Sequence, residues 1–134
     1  MYYIKFIMKN SFFKLVEYLY YFSLGALFVI YLFPGSLFGY FLYGDFERQP
    51  SLVNNPIGTS INHLFFFSYL SILALICNLK KITIYNNFSF ILLISILLET
   101  THLIIPNRAF EIYDLLANLI GVTIIFFVSK IIKL

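Results

Sequence analysis

Charge is what this sequence has least of. Of 134 residues only 11% are charged, against 61% hydrophobic, and the mean hydropathy is +0.91. A soluble domain covers its surface with about 25% charged residues, so an integral membrane protein is expected instead. Tryptophan is absent, and the single cysteine, Cys77, excludes an internal disulfide; its place in an apolar run reads as packing. Basic residues come in ones and twos, so the formal charge of +3 is no nucleic-acid footprint. No internal repeat is visible, which removes support for an inverted-repeat transporter. The apolar runs are too long for a β-barrel, whose strands need about 9–11 residues of alternating polarity. Aromatics reach 21%, but a load of Phe, Ile, Tyr, Asn and Lys looks like coding bias and carries no function.

What is present is a succession of apolar segments with short polar joints. The fold class expected is an all-α membrane protein, one bundle of four transmembrane helices over residues 15–33, 61–79, 88–105 and 113–129. At 1.5 Å per residue each reaches about 25–29 Å, enough for the hydrocarbon core. Residues 1–14, with Lys5, Lys9 and Lys14, read as a cytoplasmic lead lying along the interface. This basic start resembles a signal peptide, but the run that follows exceeds the usual apolar region of about 7–15 residues, and no small-x-small cleavage site follows. It is therefore taken as a retained first span, ended by Pro34-Gly35.

Residues 36–60 form the long loop between helices 1 and 2. It begins with an aromatic stretch, 37–43, expected in the headgroup region, and goes on through Gly44, Pro50 and Pro56 as turns. Ser60 and Asn62 are candidate caps of the second span. Lys80-Lys81 closes that span, Asn86-Asn87 turns the chain, and Pro106-Asn107 breaks the third helix. With both termini cytoplasmic, Lys5, Lys9, Lys14, Lys80, Lys81, Lys130 and Lys133 lie inside and only Arg48 and Arg108 outside, a positive-inside bias.

Three of the six acids, one of the two histidines and an arginine fall between Glu99 and Gly121. Charges at bilayer depth cost about 2.5–3.5 kcal/mol each, so they persist where they are paired or used. Helical spacing puts Ser95, Glu99 and His102 on one face, and Asp114, Asn118 and Gly121 on another. Ser60, His63, Phe67, Ser71, Ala74 and Asn78 make a third stripe. The polar ends of these faces lie level near the outer surface.

Each residue also has a structural reading. Glu99 could pair with Arg108 folded back as a clamp. His102 could be a general base, a metal ligand or an interhelical hydrogen-bonder. His63 could be a rim residue, and Asp114 a cap on the fourth helix. Asn118 and Gly121 could let the third and fourth spans approach closely. Glu17 sits at the cytoplasmic rim, away from the cluster. Glu99-x-x-His102 has the spacing of di-metal bundles, but those need a second such motif, so no metal and no other cofactor is expected.

Glu99-Thr-Thr-His102, Pro106-Asn-Arg108 and Asp114-Leu-Leu-Ala-Asn118-Leu-Ile-Gly121 together resemble the C-terminal signature of VanZ-like membrane proteins. That signature is Glu-x-x-Gln, an Arg after a Pro-containing break, then Asp-x-x-x-Asn-x-x-Gly. The resemblance runs from about Thr59 to Leu134. His102 stands where the family has Gln. His63 matches an upstream family His, but the Asp-Lys pair before it and the Phe after it are replaced. The family is named for teicoplanin resistance, so the resemblance implies a bacterial cell envelope protein of the plasma membrane and a link to glycopeptide tolerance.

Three functions are open on these grounds. In the first, an outward pocket binds an anionic lipid or lipid-linked headgroup, with Arg108, Asn118 and His63 as binding residues and no nucleic acid among the partners. In the second, an enzyme acts on such a lipid, with Glu99 and His102 as acid and base beside Asp114. In the third, the cluster is helix–helix glue in a structural subunit. The oligomeric state is open.

Overall fold

The computed structural model describes residues 2–50, 58–78 and 88–132, with side chains from residue 11 onward. Those residues form five helices and no strand: α1 (Tyr2–Leu32), α2 (Leu37–Tyr43), α3 (Gly58–Asn78), α4 (Phe88–Thr101) and α5 (Ile112–Ile131). Three stretches are long and apolar enough to cross a membrane: Ser11–Leu32 within α1, all of α3 and all of α5. Large apolar side chains such as Phe22, Phe65, Leu97 and Phe127 point away from the bundle, as they do when lipid and not water surrounds a protein.

The lead does not form a separate interfacial turn. No proline or glycine interrupts residues 2–24, and α1 runs unbroken from Tyr2 until it stops two residues before Pro34. The expected third span, 88–105, is shorter than its hydropathy suggests. α4 has 14 residues, about 21 Å of rise, and ends at Thr101. Beyond it the N–H groups of His102, Leu103 and Ile104 bond three residues back instead of four, so the chain tightens before it reaches Pro106. Asn107 then takes a positive φ of 58°, which asparagine tolerates better than most residues.

The 36–60 stretch holds more structure than a headgroup segment followed by turns. Ser36 Oγ accepts the Gly39 N–H at 2.9 Å and caps α2, while Gly44, at φ 70°, closes it in the left-handed region. The chain then folds back on the helix. The Ser36 N–H donates to Phe46 O at 2.7 Å, and the rings of Tyr40 and Phe46 stack with centroids 4.3 Å apart. Gly39 lies so close to the carbonyls of Asp45 and Arg48 that a Cβ would collide with both. The Arg48 guanidinium caps the Tyr43 ring at 3.9 Å. Residues 51–57, the Lys80-Lys81 and Asn86-Asn87 joint and Lys133 lie outside the described residues.

α3 packs along α5, α5 along α4, and α1 lies on α3. Tyr20, Leu27, Phe67, Leu70, Ile91 and Val122 fill the space between them, with Cys77 buried among them. In lipid, helix association rests on close packing and interhelical hydrogen bonds, because lipid tails are as apolar as the side chains. Gly121 shows that packing at its tightest. A Cβ there would stand 2.7 Å from Leu64 O, and Ser68 Oγ donates to the Gly121 carbonyl at 3.3 Å. Gly121 thus serves close approach to α3, the second span, and not to the third span as expected: its bare face is turned to Leu64 and Ser68.

Candidate functional site

The ends of four helices meet at one pole of the bundle: the C-terminal ends of α1 and α4 and the N-terminal ends of α3 and α5. Into that pole the expected faces bring Glu99, His102, Asp114 and Asn118, all buried, and His63, 15% of whose side chain is exposed. His63 is the hub. Its Nε2 faces Asp114 Oδ2 at 3.3 Å, and its Nδ1 lies 2.7 Å from the Tyr31 hydroxyl, 3.2 Å from Asn118 Oδ1 and 3.8 Å from Glu99 Oε2. Four helices, α1, α3, α4 and α5, thus meet at one imidazole.

Asp114 does not act as a lone helix cap. Its Oδ1 accepts the Ser60 hydroxyl at 2.5 Å while Oδ2 faces His63, so both oxygens tie α5 to α3. Ser60 is correspondingly no cap of α3, which begins at Gly58, and Asn62 Nδ2 instead donates to Pro50 O at 2.7 Å. Glu99, fully buried, has Oε1 3.3 Å from His102 Nδ1, and the Glu111 N–H donates to the same oxygen at 3.4 Å. His102 stacks on Tyr31 with centroids 5.2 Å apart and 17° between the planes.

Arg108 does not clamp Glu99. Its Nε and Nη2 donate to Phe33 O at 3.3 Å and Ile30 O at 2.5 Å, covering carbonyls that the end of α1 leaves without helical partners. The physical reason is reach: α4 stops at Thr101, and the tight turn carries Arg108 over α1 instead of back down α4. Nη1 has no partner among the described residues. Burial pulls the Arg108 pKa down, while Tyr31 and Glu99 nearby work against that shift. Glu111 at the rim is pushed up, first by burial and then by Asp114 and Glu99.

A cleft of about 710 Å³ opens between α1, α2 and α3. Its walls are mostly apolar, with Leu27, Phe65 and Phe66 toward the bundle middle and Leu37, Phe38 and Leu42 from α2. Tyr31, His63, His102 and Arg108 also line it. Glu99, Asp114 and Asn118 stand behind these residues and do not line the cleft themselves. No group of three or more His, Cys, Asp or Glu could hold a metal ion among the described residues.

Tyr31 and the bonding role of Ser60 were missed in the sequence. In a chain with 11 tyrosines one more tyrosine carries no signal. Its place three residues before Pro34, level with the polar ends of the other helices, was the available clue. Apolar helices of spanning length, with a polar core at one pole, define a multi-pass helical membrane protein. No protein family, curated protein or solved structure matches the chain.

Proposed function

We propose that the protein binds an anionic lipid, or a lipid-linked headgroup, in the cleft beside Arg108. The observation that carries this reading is the cleft itself: apolar walls that suit acyl chains lead to a polar end with a guanidinium and two imidazoles. Arg108 keeps its charge throughout and has Nη1 to offer a phosphate oxygen. Glu99 and Asp114 orient His102 and His63 from behind, and α2 with its returning chain forms the cover. An open cleft at this place favours a ligand over a purely structural subunit.

The rest of the reading follows the membrane geometry. α4 with its tight turn makes a fourth crossing, both termini are cytoplasmic and the cleft faces outward. The resemblance to VanZ-like proteins supports a bacterial envelope location and a link to glycopeptide tolerance. Lipid co-purifying with the wild type and lost from Arg108→Ala is the expected result by mass spectrometry of the extracted protein. Circular dichroism checks the fold, since Arg108 also covers the end of α1. Equal anionic lipid in both proteins would refute the reading.

An enzyme acting on such a lipid is the second reading, and the Glu99–His102 pair is what favours it. A carboxylate behind one imidazole nitrogen leaves the other free as a base. Glu99→Gln separates the two: a catalyst loses turnover at normal membrane accumulation, whereas a binding protein keeps its lipid.

A further inference from the structure

His102 Nε2 is buried and has no hydrogen-bond partner among the described residues. The ring around it is held firmly. Nδ1 stands 3.3 Å from Glu99 Oε1, the Tyr31 ring lies flat against one face, and the backbone N–H of His102 bonds to Glu99 O at 3.1 Å. Glu99 Oε1 already accepts the Glu111 N–H, so it is an acceptor and the His102 proton sits on Nδ1. In the neutral ring that leaves a lone pair on Nε2. His102 is 95% buried, and it borders the cleft alongside Arg108 and Tyr31. A fixed, buried acceptor without a donor is an unmet demand, which a ligand entering the cleft can satisfy.

We infer that His102 accepts a hydrogen bond from a hydroxyl of the bound headgroup, so the ligand is an anionic lipid whose phosphodiester carries a polyol, glycerol or sugar. This rests on the anionic-lipid reading above and narrows it. An ionised phosphate presents only acceptors and would oppose the Nε2 lone pair, so phosphate belongs on Arg108 and something else belongs on His102. A choline headgroup has no N–H or O–H to donate. An ethanolamine ammonium could donate, but it would enter the same cleft as the Arg108 guanidinium, like charge beside like. A hydroxyl donates without charge.

The test compares two lipids of equal acyl chains and equal charge, phosphatidylglycerol and phosphatidylmethanol, which differ in the hydroxyls. They compete for detergent-purified wild-type protein, read by native mass spectrometry, with phosphatidylcholine as the uncharged reference. One added hydrogen bond corresponds to about a fivefold to tenfold preference for phosphatidylglycerol. His102→Phe keeps a flat ring against Tyr31 and removes the acceptor; it should bring the two anionic lipids to parity while both still outcompete phosphatidylcholine. His102→Gln, whose amide oxygen can accept, should keep part of the preference.

Parity in the wild type, or an undiminished preference in His102→Phe, overturns the inference and leaves the anionic-lipid reading standing. No excess of either anionic lipid over phosphatidylcholine overturns both. Soluble glycerol 3-phosphate has the polar groups without the chains, and it should not displace phosphatidylglycerol at millimolar concentration; displacement would overturn the assignment to a lipid.

Discussion

Two flanks of α3 meet opposite conditions. Toward α5 its backbone touches the neighbouring helix at Gly121, and the seam above that point is tied by Ser60 and His63 to Asp114. Toward α1 it presents Phe65, Phe66 and Tyr69 beside a cleft of about 710 Å³, and the two helices are linked by Tyr31 to His63 and by Ser23 to Tyr69. The difference lies in side-chain size. Glycine and serine let two backbones close, whereas on the other flank large rings line a space that they do not fill. In lipid, where apolar surface gains little by leaving its surroundings, the small-residue seam is the one that holds the bundle together. The other flank carries the cleft.

Breaking the closed seam should have the largest effect. Gly121→Val puts a branched side chain where even a Cβ would crowd Leu64 O at 2.7 Å. The expected loss is about 3 kcal/mol or more, seen as a lowered thermal midpoint in detergent or as failure to accumulate in the membrane. Ser60→Ala tests the polar end of the same seam. It removes a buried hydrogen bond to a carboxylate and should cost about 2 kcal/mol, measured by the same melt, with the cleft still binding lipid. Wild-type stability in Gly121→Val would mean the seam does not hold α3 to α5.

The smallest effect belongs to Glu111, on the rim where the two regions meet. Its folded pKa lies above the ordinary 4.5, chiefly through burial. The sign follows: folding disfavours the ionised carboxyl, so this stabilising share is present below pH 4.5 and is lost as pH rises through the folded pKa. Glu111→Gln should therefore raise the thermal midpoint slightly at neutral pH and leave it unchanged in acid. The melt repeated across pH 4 to 8 reads the difference, and a midpoint that falls at neutral pH would reverse the assignment.

Much of the site could be read from spacing. A 3.6-residue period is a property of the backbone, so Glu99 with Ser95, and Asp114 with Asn118 and Gly121, had to share faces wherever those helices packed; all five are buried. Where the period stops, so does the reading. The third span looked four residues longer than α4 is, because hydropathy counts the apolar Leu103, Ile104 and Ile105 and is blind to the tighter turn that carries them. That local change sends Arg108 to the carbonyls of Ile30 and Phe33, more than 70 positions earlier in the chain, a partner no spacing argument could reach.

The sequence by itself determined that the chain is helical and made for lipid, and which side of each helix is polar. These follow from composition and from the fixed geometry of the helix, which need no neighbour. Which polar group meets which was decided only by tertiary structure. His63 finds Asp114 and Tyr31, Ser60 finds Asp114, and His102 keeps one nitrogen unmet, because a hydrogen bond is made or lost within a few tenths of an ångström, and those distances depend on how far apart and at what rotation the helices come to rest.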